Sequence, residues 1–287
     1  MIHWPDELIS DLARRKCIVF LGAGISMNSS NIYGRKPKSW KSFLEGTLEF
    51  IAPNKHIKTL INKSDYLTAC EIIKTKLGRE RFNTIILDEY LTPSYRPADI
   101  HTNIYNLDSR IVISPNFDKI FETCANSIAN GSVQVKSYSD EDVAEAIRRP
   151  NRLIIKAHGT IDKPNEMIFS RAEYAEAKVK YRNFYTIFEA LILTHTFIFL
   201  GCGLNDPDIK LLLEDYSYRF KCARNHYFVV PTRTIHGDEA NVLQSAMNLK
   251  LITYNSDDSH KELTDSLKDL VDIVSTKRNE LAITLDW

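Results

Sequence analysis

The sequence predicts an α/β fold in which a parallel sheet is flanked by helices and interrupted by a helical insertion. Three observations predict it. Short continuous apolar runs recur along the chain, helix-length amphipathic stretches separate most of them, and several runs end in glycine or in Asn, Asp and His. A short apolar run without alternation suits a strand buried on both faces, which is how a helix-covered parallel sheet buries its strands. Ligands of such sheets bind beyond the carboxyl ends of the strands.

In chain order, Glu7 to Arg15 reads as a helix leading into Cys17-Ile-Val-Phe-Leu21, a first strand that stops at glycine. Between Trp40 and Tyr90, WKSFLEGTLEFI, DYLTACEIIKTKLG and RERFNTIILDEYL have apolar spacings near 3 and 4, so a helical insertion or small subdomain is expected over about 38–95. Further strands are expected at Ser109 to Ser114, Arg152 to Lys156, Thr196 to Leu200, His226 to Val230 and Leu249 to Tyr254. His260 to about Arg278 reads as an amphipathic helix, followed by the short tail ELAITLDW. The expected organisation is one domain over 1–287: a core at about 10–30 and 100–258, the insertion, and a C-terminal helix and tail over 259–287.

Composition narrows the class. With 287 residues, 44% hydrophobic and 26% charged, and only 10 Gly and 10 Pro, the chain is globular rather than disordered or collagen-like. Lys plus Arg and Asp plus Glu both total 37, so no net charge draws it to nucleic acid, and direct nucleic-acid binding is not expected. The most apolar run, around Phe197 to Leu200, is far shorter than the roughly 18 residues that span a bilayer, and the N-terminal segment has no signal-peptide core. A cytoplasmic protein away from membranes is expected. The 5 cysteines are scattered with no CxxC pair, which argues against a disulfide framework or a Cys-built zinc site.

Four strand ends carry candidate chemistry. Leu21-Gly-Ala-Gly-Ile-Ser26 follows the first strand; Gly22 and Gly24 permit either a close approach to a phosphate or simply a tight strand-to-helix turn. Ser114-Pro-Asn-Phe-Asp118 offers Asn116 and Asp118 either to a cleft above the sheet or as local turn and cap residues. Lys156-Ala-His-Gly-Thr160 places His158 at a strand terminus, where an imidazole can serve as a base near neutral pH or play a structural part. Gly201-Cys-Gly-Leu-Asn-Asp-Pro-Asp208 is a second glycine turn, fit either to wrap a nucleotide or to cap a helix through Asn205 or Asp206. No His and carboxylate grouping suggests a metal.

Taken in order, GAGIS at 22–26, NFD at 116–118, HG at 158–159 and IFLGCGLNDPDI at 198–209 resemble the sirtuin superfamily, and more closely its bacterial SIR2-like branch than the deacetylases. The resemblance covers most of 17–255. It implies a Rossmann-like core that takes NAD+ as substrate, breaks its nicotinamide–ribose bond to give nicotinamide and ADP-ribose, and needs no metal. It assigns His158 as general base, Asn116 as the group holding a ribose hydroxyl or water, and Asp118 as receiver of the nicotinamide carboxamide or support of its loop. Gly22, Ala23, Gly24, Ile25 and Ser26 would bind the pyrophosphate, Gly201, Gly203 and Asn205 would close on the adenosine half, and Thr253 to Asn255 would line the adenine.

The departures are informative. The two CxxC pairs of the deacetylase zinc ribbon are missing, the PDFR continuation is replaced by a segment holding Trp40 and Phe43 in an SWxxF pattern, and Pro115 stands where classical sirtuins have glutamine. These favour hydrolysis of NAD+ itself over an acyl-lysine substrate. Protein deacylation, ADP-ribosyl transfer and a non-catalytic NAD+ or ADP-ribose binding module stay as alternatives. The resemblance further implies anti-phage defence through NAD+ depletion, a homo-oligomer, and control by a separately encoded partner such as a HerA-like ring ATPase, with 40–90 and 260–287 as candidate contacts.

Overall fold

A computed structural model describes residues 1–203, 207–220, 223–232, 234–235 and 237–285. The chain enters through α1 (Asp6–Ala13) and β1 (Cys17–Leu21), then makes the short helix α2 (Ala23–Ser26). The insertion follows as α3 (Trp40–Thr47), α4 (Lys55–Asn62), α5 (Tyr66–Leu77) and α6 (Arg79–Tyr90). The chain then builds α7 (Asp99–Asn106), β2 (Ile111–Ser114), α8 (Ile120–Ile128), β3 (Gln134–Ser137), α9 (Val143–Arg148) and β4 (Leu153–Lys156). It closes with α10 (Arg171–Lys180), α11 (Arg182–Thr194), β5 (Thr196–Leu200), α12 (Pro207–Arg219), β6 (His226–Pro231), α13 (Gly237–Met247), β7 (Leu249–Tyr254) and α14 (Asp257–Thr284).

Among the described residues the strands form one seven-stranded sheet in the order β3-β4-β2-β1-β5-β6-β7, with every pair parallel. This is the Rossmann-like α/β arrangement. Successive residues of β1 serve opposite faces. Ile18 and Phe20 join an apolar cluster with Phe188, Phe197 and Phe199, whereas Cys17, Val19 and Leu21 join another with Leu8, Leu12 and the α14 side chains Leu263, Leu267 and Leu270. Burial on both faces explains why the strands read as continuous apolar runs.

The strand that the apolar runs do not announce is β3. Its sequence, Gln-Val-Lys-Ser, lies at the sheet edge and is mostly half-exposed, so it carries no buried run to detect. The expected helix after His260 continues to Thr284. Asp258, Ser259 and His260 at its start have left-handed backbones, so regular helix begins after them. Its apolar face is spent on the core, and Arg278 donates to the last carbonyls of α1 and α7, at Leu12, Ala13 and Leu107. Such a cation at two helix C-termini satisfies otherwise orphaned acceptors.

Helices α3 to α6 build a third cluster, in which Phe43, Phe82, Ile57, Ile73 and Ile86 pack with Phe169 and Met167 from the segment after β4. Glu89, buried at the end of α6, accepts from Arg35, from the Lys38 amide and from the Tyr95 hydroxyl, and so pins the connecting loop across the mouth of the insertion. Burial, then the charge of Glu89, pushes Tyr95 up to about 12.

One buried group sets a pH dependence of stability. His226, 1% exposed at the start of β6, accepts the Phe197 amide at Nδ1 (3.1 Å), and burial pushes it down to about 4. Between pH about 6.5 and 4 the unfolded chain takes up a proton that the folded chain refuses, so stability falls as pH falls in that window, by about 1.4 kcal/mol per unit. Melting temperature is expected to drop steadily from pH 7 to 4.5, with a shallower slope in His226→Gln. Equal slopes in the two proteins would show that this imidazole is not the source.

Candidate functional site

The order β2-β1-β5 places the topological switch of the sheet between β1 and β5, because the chain builds one half outward from β1 and then crosses to β5 for the other. Ligand sites of open α/β sheets form beyond the strand ends at such a point. A cavity of about 240 Å³ lies there, with Gly22, Ala23 and Ser26 after β1, Asn116 and Asp118 after β2, His158 after β4, and Gly201 and Gly203 after β5 all on its wall. The insertion and the segment before α10 supply the facing wall, through Trp40, Tyr66, Tyr90 and Phe169, with Phe117 stacked on Phe169 at 4.1 Å between ring centroids.

The glycines are required mainly by each other. A Cβ on Gly22 would lie 2.4 Å from the Gly201 carbonyl oxygen, and one on Gly24 would lie 2.8 Å from it. Gly201 has φ of +64°, and a Cβ there would meet the Ile25 amide at 2.5 Å. The amides of Gly22 and Gly24 donate to the Leu200 and Gly201 carbonyls, which zips the two glycine turns together, and the Ile25 amide donates to the Gly22 carbonyl within its own turn. These three amides therefore hold the floor of the site instead of offering themselves to an anion. Gly24 and Ile25 are not on the cavity wall; Ile25, 2% exposed, turns into the core. Among the described residues nothing lies within 4 Å of where a Cβ on Gly203 would sit. Asn205 lies outside the described residues, and Thr253 to Asn255 do not reach this cavity.

Asn116, Asp118 and Ser26 form one hydrogen-bonded group. Asn116 Nδ2 donates to the Gly22 carbonyl (2.9 Å) and to Ser26 Oγ (3.1 Å), and Ser26 Oγ donates to Asp118 Oδ2 (2.8 Å). Asp118 Oδ1 accepts the Ile120 amide (3.0 Å) at the start of α8. Both carboxylate oxygens are thus engaged by the protein, and the residue is buried. The carboxamide of Asn116 is anchored through its nitrogen, which leaves Oδ1 for a ligand in the cavity. Beneath this loop Lys156 Nζ donates to the Asp118 carbonyl and sits 4.0 Å from Glu122, whose carboxyl burial pushes up. Asp118→Ala is expected to cost about 1–3 kcal/mol through the unpaired Ile120 amide and Ser26 hydroxyl, read as a lowered denaturation midpoint. An unchanged midpoint would contradict this supporting role.

His158 is held from behind. Gly159, at φ +91°, makes the turn that follows it; a Cβ there would meet the Glu166 carbonyl at 2.8 Å. The His158 carbonyl accepts the Ile168 amide (3.0 Å), and its ring lies edge-on to Tyr174. Tyr174, Lys156, Glu122 and the aromatic wall are the members that motif reading did not single out. Trp40 alone had a signal, in the SWxxF pattern; Tyr174 sits in an ordinary amphipathic helix. Among the described residues no group of three His, Cys, Asp or Glu is arranged to hold a metal, and no helix is long and apolar enough to cross a membrane.

Comparison with known proteins finds a family and several relatives. The SIR2-like domain family matches residues 110–252. The chain is 20% identical over 245 residues to NAD(+) hydrolase ThsA of Acinetobacter baumannii (strain 532279), covering 85% of this chain and 48% of that protein. It is 22% identical over 294 residues to NAD(+) hydrolase ThsA of Bacillus cereus (strain MSX-D12), covering 94% and 57%. Against Defense-associated sirtuin 2 of Bacillus subtilis it is 26% identical over 218 residues, covering 75% and 20%. The chain spans about half the length of the ThsA relatives it matches.

Proposed function

This chain carries a SIR2-like domain, and from that premise we propose that it is an NAD+ hydrolase that cleaves the nicotinamide–ribose bond to release nicotinamide and ADP-ribose. The observation that carries this reading is the convergence of Asn116 and His158 with the paired glycine turns on one cavity at the β1/β5 switch point. The scissile bond joins ribose C1′ to a cationic pyridinium, so nicotinamide leaves neutral and no acid is required. The chain's work is to place the ribose, stabilise an oxocarbenium-like transition state and deliver a nucleophile.

In this reading His158 takes the proton of the ribose hydroxyl or water, and Asn116 Oδ1 orients that group while its Nδ2 stays tied to Gly22 and Ser26. Asp118, with both oxygens engaged, supports the loop. Gly22, Ala23 and Ser26 border the pyrophosphate, and Gly201 and Gly203 the adenosine side. The aromatic wall sheds water from the reacting end.

The same reading makes the chain a cytoplasmic effector of anti-phage defence that acts by depleting NAD+; the names of its relatives support NAD+ hydrolysis and an association with defence. It would work as a homo-oligomer under a separately encoded regulator such as a HerA-like ATPase. Because α14 spends its apolar face on the core, its outward residues Ile273 and Ile283, with Leu285 just past its end, are what this region offers to a second copy.

The test is a time course of purified protein with NAD+, with and without candidate partners, resolved by chromatography. Nicotinamide and ADP-ribose are expected in equal amounts without any acylated peptide, at a rate that EDTA leaves unchanged. Strict dependence on acyl-lysine would overturn the reading in favour of a deacylase, and EDTA-sensitive activity would overturn its metal-free mechanism.

A further inference from the structure

We propose that Lys38 is the cation that binds the pyrophosphate of the dinucleotide; this rests on the reading of the cavity as the NAD+ site. Each phosphate of NAD+ is an anion, and drawing such a group out of water is costly unless donors or an opposite charge meet it. Among the described residues Lys38 is the one Lys or Arg on the cavity wall. It lies on the loop that enters the insertion, just before α3.

The glycine turn leaves this work largely undone. The amides of Gly22 and Gly24 donate to the Leu200 and Gly201 carbonyls, and the Ile25 amide to Gly22. The side-chain donors beside them are engaged as well: Asn116 Nδ2 with Gly22 and Ser26, and the Ser26 hydroxyl with Asp118. Asp118 adds a carboxylate to the same wall. Without a cation, such a pocket would repel a phosphate.

Lys38 is placed to supply that cation. Its backbone is fixed, because its amide donates to Glu89 Oε1 (3.2 Å) and its carbonyl accepts the Tyr90 hydroxyl (3.1 Å). Its side chain is 43% exposed, with Nζ 3.3 Å from Glu89 Oε2. Glu89 does not depend on that last contact: Arg35 donates to the same oxygen at 2.5 Å, and the Tyr95 hydroxyl donates to Oε1 at 3.2 Å. The ammonium can therefore turn from Glu89 to a phosphate while Arg35 keeps the buried carboxylate paired. A point charge on a flexible stem suits phosphate oxygens in many orientations.

Lys38→Met tests this with ADP-ribose, which keeps the pyrophosphate and lacks the scissile bond. Calorimetry on the full chain is expected to show Kd for ADP-ribose raised on the order of 10-fold, the size of one lost charge-assisted hydrogen bond, with most of the affinity kept in Lys38→Arg. In turnover, KM for NAD+ is expected to rise by a similar factor with kcat within about twofold, because the phosphate contact is the same in ground and transition states. Salt separates a direct contact from a general loosening of the loop. The parent's Kd should climb as sodium chloride goes from about 50 to about 300 mM, and Lys38→Met should flatten that climb. Unchanged affinity in Lys38→Met, or a loss that leaves the salt slope as in the parent, overturns the proposal; so does a parent chain that binds no ADP-ribose. A parent that binds ADP-ribose yet leaves NAD+ intact under every condition overturns the hydrolase reading instead, and the ADP-ribose titrations still decide what Lys38 does.

Discussion

Replacing His158 by Ala is expected to slow NAD+ cleavage by about 100- to 10,000-fold, the range for loss of a positioned general base, with the fold retained. The imidazole borders the cavity, and what its backbone provides, the carbonyl that accepts Ile168, survives the change. The cost in stability includes the lost packing against Tyr174. Turnover per molecule, measured on protein with a normal circular dichroism spectrum, checks this. Near-parental turnover would remove His158 from the chemistry and return it to the structural part that an isolated histidine at a strand end can play. Asn116→Ala is expected to fall in the same direction. Its Nδ2 bonds also tie Gly22 to Ser26, so part of that loss would come from a loosened floor.

Gly201→Ala is expected to destabilise the chain by about 2–5 kcal/mol. A left-handed backbone costs an alanine about 1–2 kcal/mol and forced overpacking adds about 1–3. Both apply here, because φ is +64° and the new Cβ would press on the Ile25 amide at 2.5 Å, a backbone atom that cannot swing aside. The strain falls on the contact that joins the β1 and β5 turns, so NAD+ cleavage should fall with stability. Gly203→Ala is the matched comparison: with no described residue within 4 Å of the new Cβ, its melting temperature should stay within about a degree of the parent's. Equal melting temperatures for the two variants would refute the interlocked-turn account.

How much of this was legible beforehand follows from where each residue's constraint lies. The six expected strands and the helical insertion were visible because burial on both faces of a sheet, or on one stripe of a helix, leaves a periodic apolar trace in the chain. The edge strand β3 has one neighbour and a half-exposed sequence, so it leaves no such trace. The strand-end positions of Asn116, Asp118 and His158 were legible for the same reason, since a polar residue that directly follows a buried run must emerge at the carboxyl edge.

By itself, then, the sequence determined the α/β class, the strand ends that bear chemistry and the resemblance to the SIR2-like branch. Only the tertiary structure decided what each of those residues has to spare. Asp118 is spoken for by Ser26 and the Ile120 amide, Ile25 belongs to the core, and Gly22, Gly24 and Gly201 are glycines because two loops nearly 180 residues apart touch backbone to backbone. The reason is the range of the forces involved. Periodicity records the burial that local segments share, whereas hydrogen bonds and steric contacts are settled at ångström distances between segments that the chain order keeps apart.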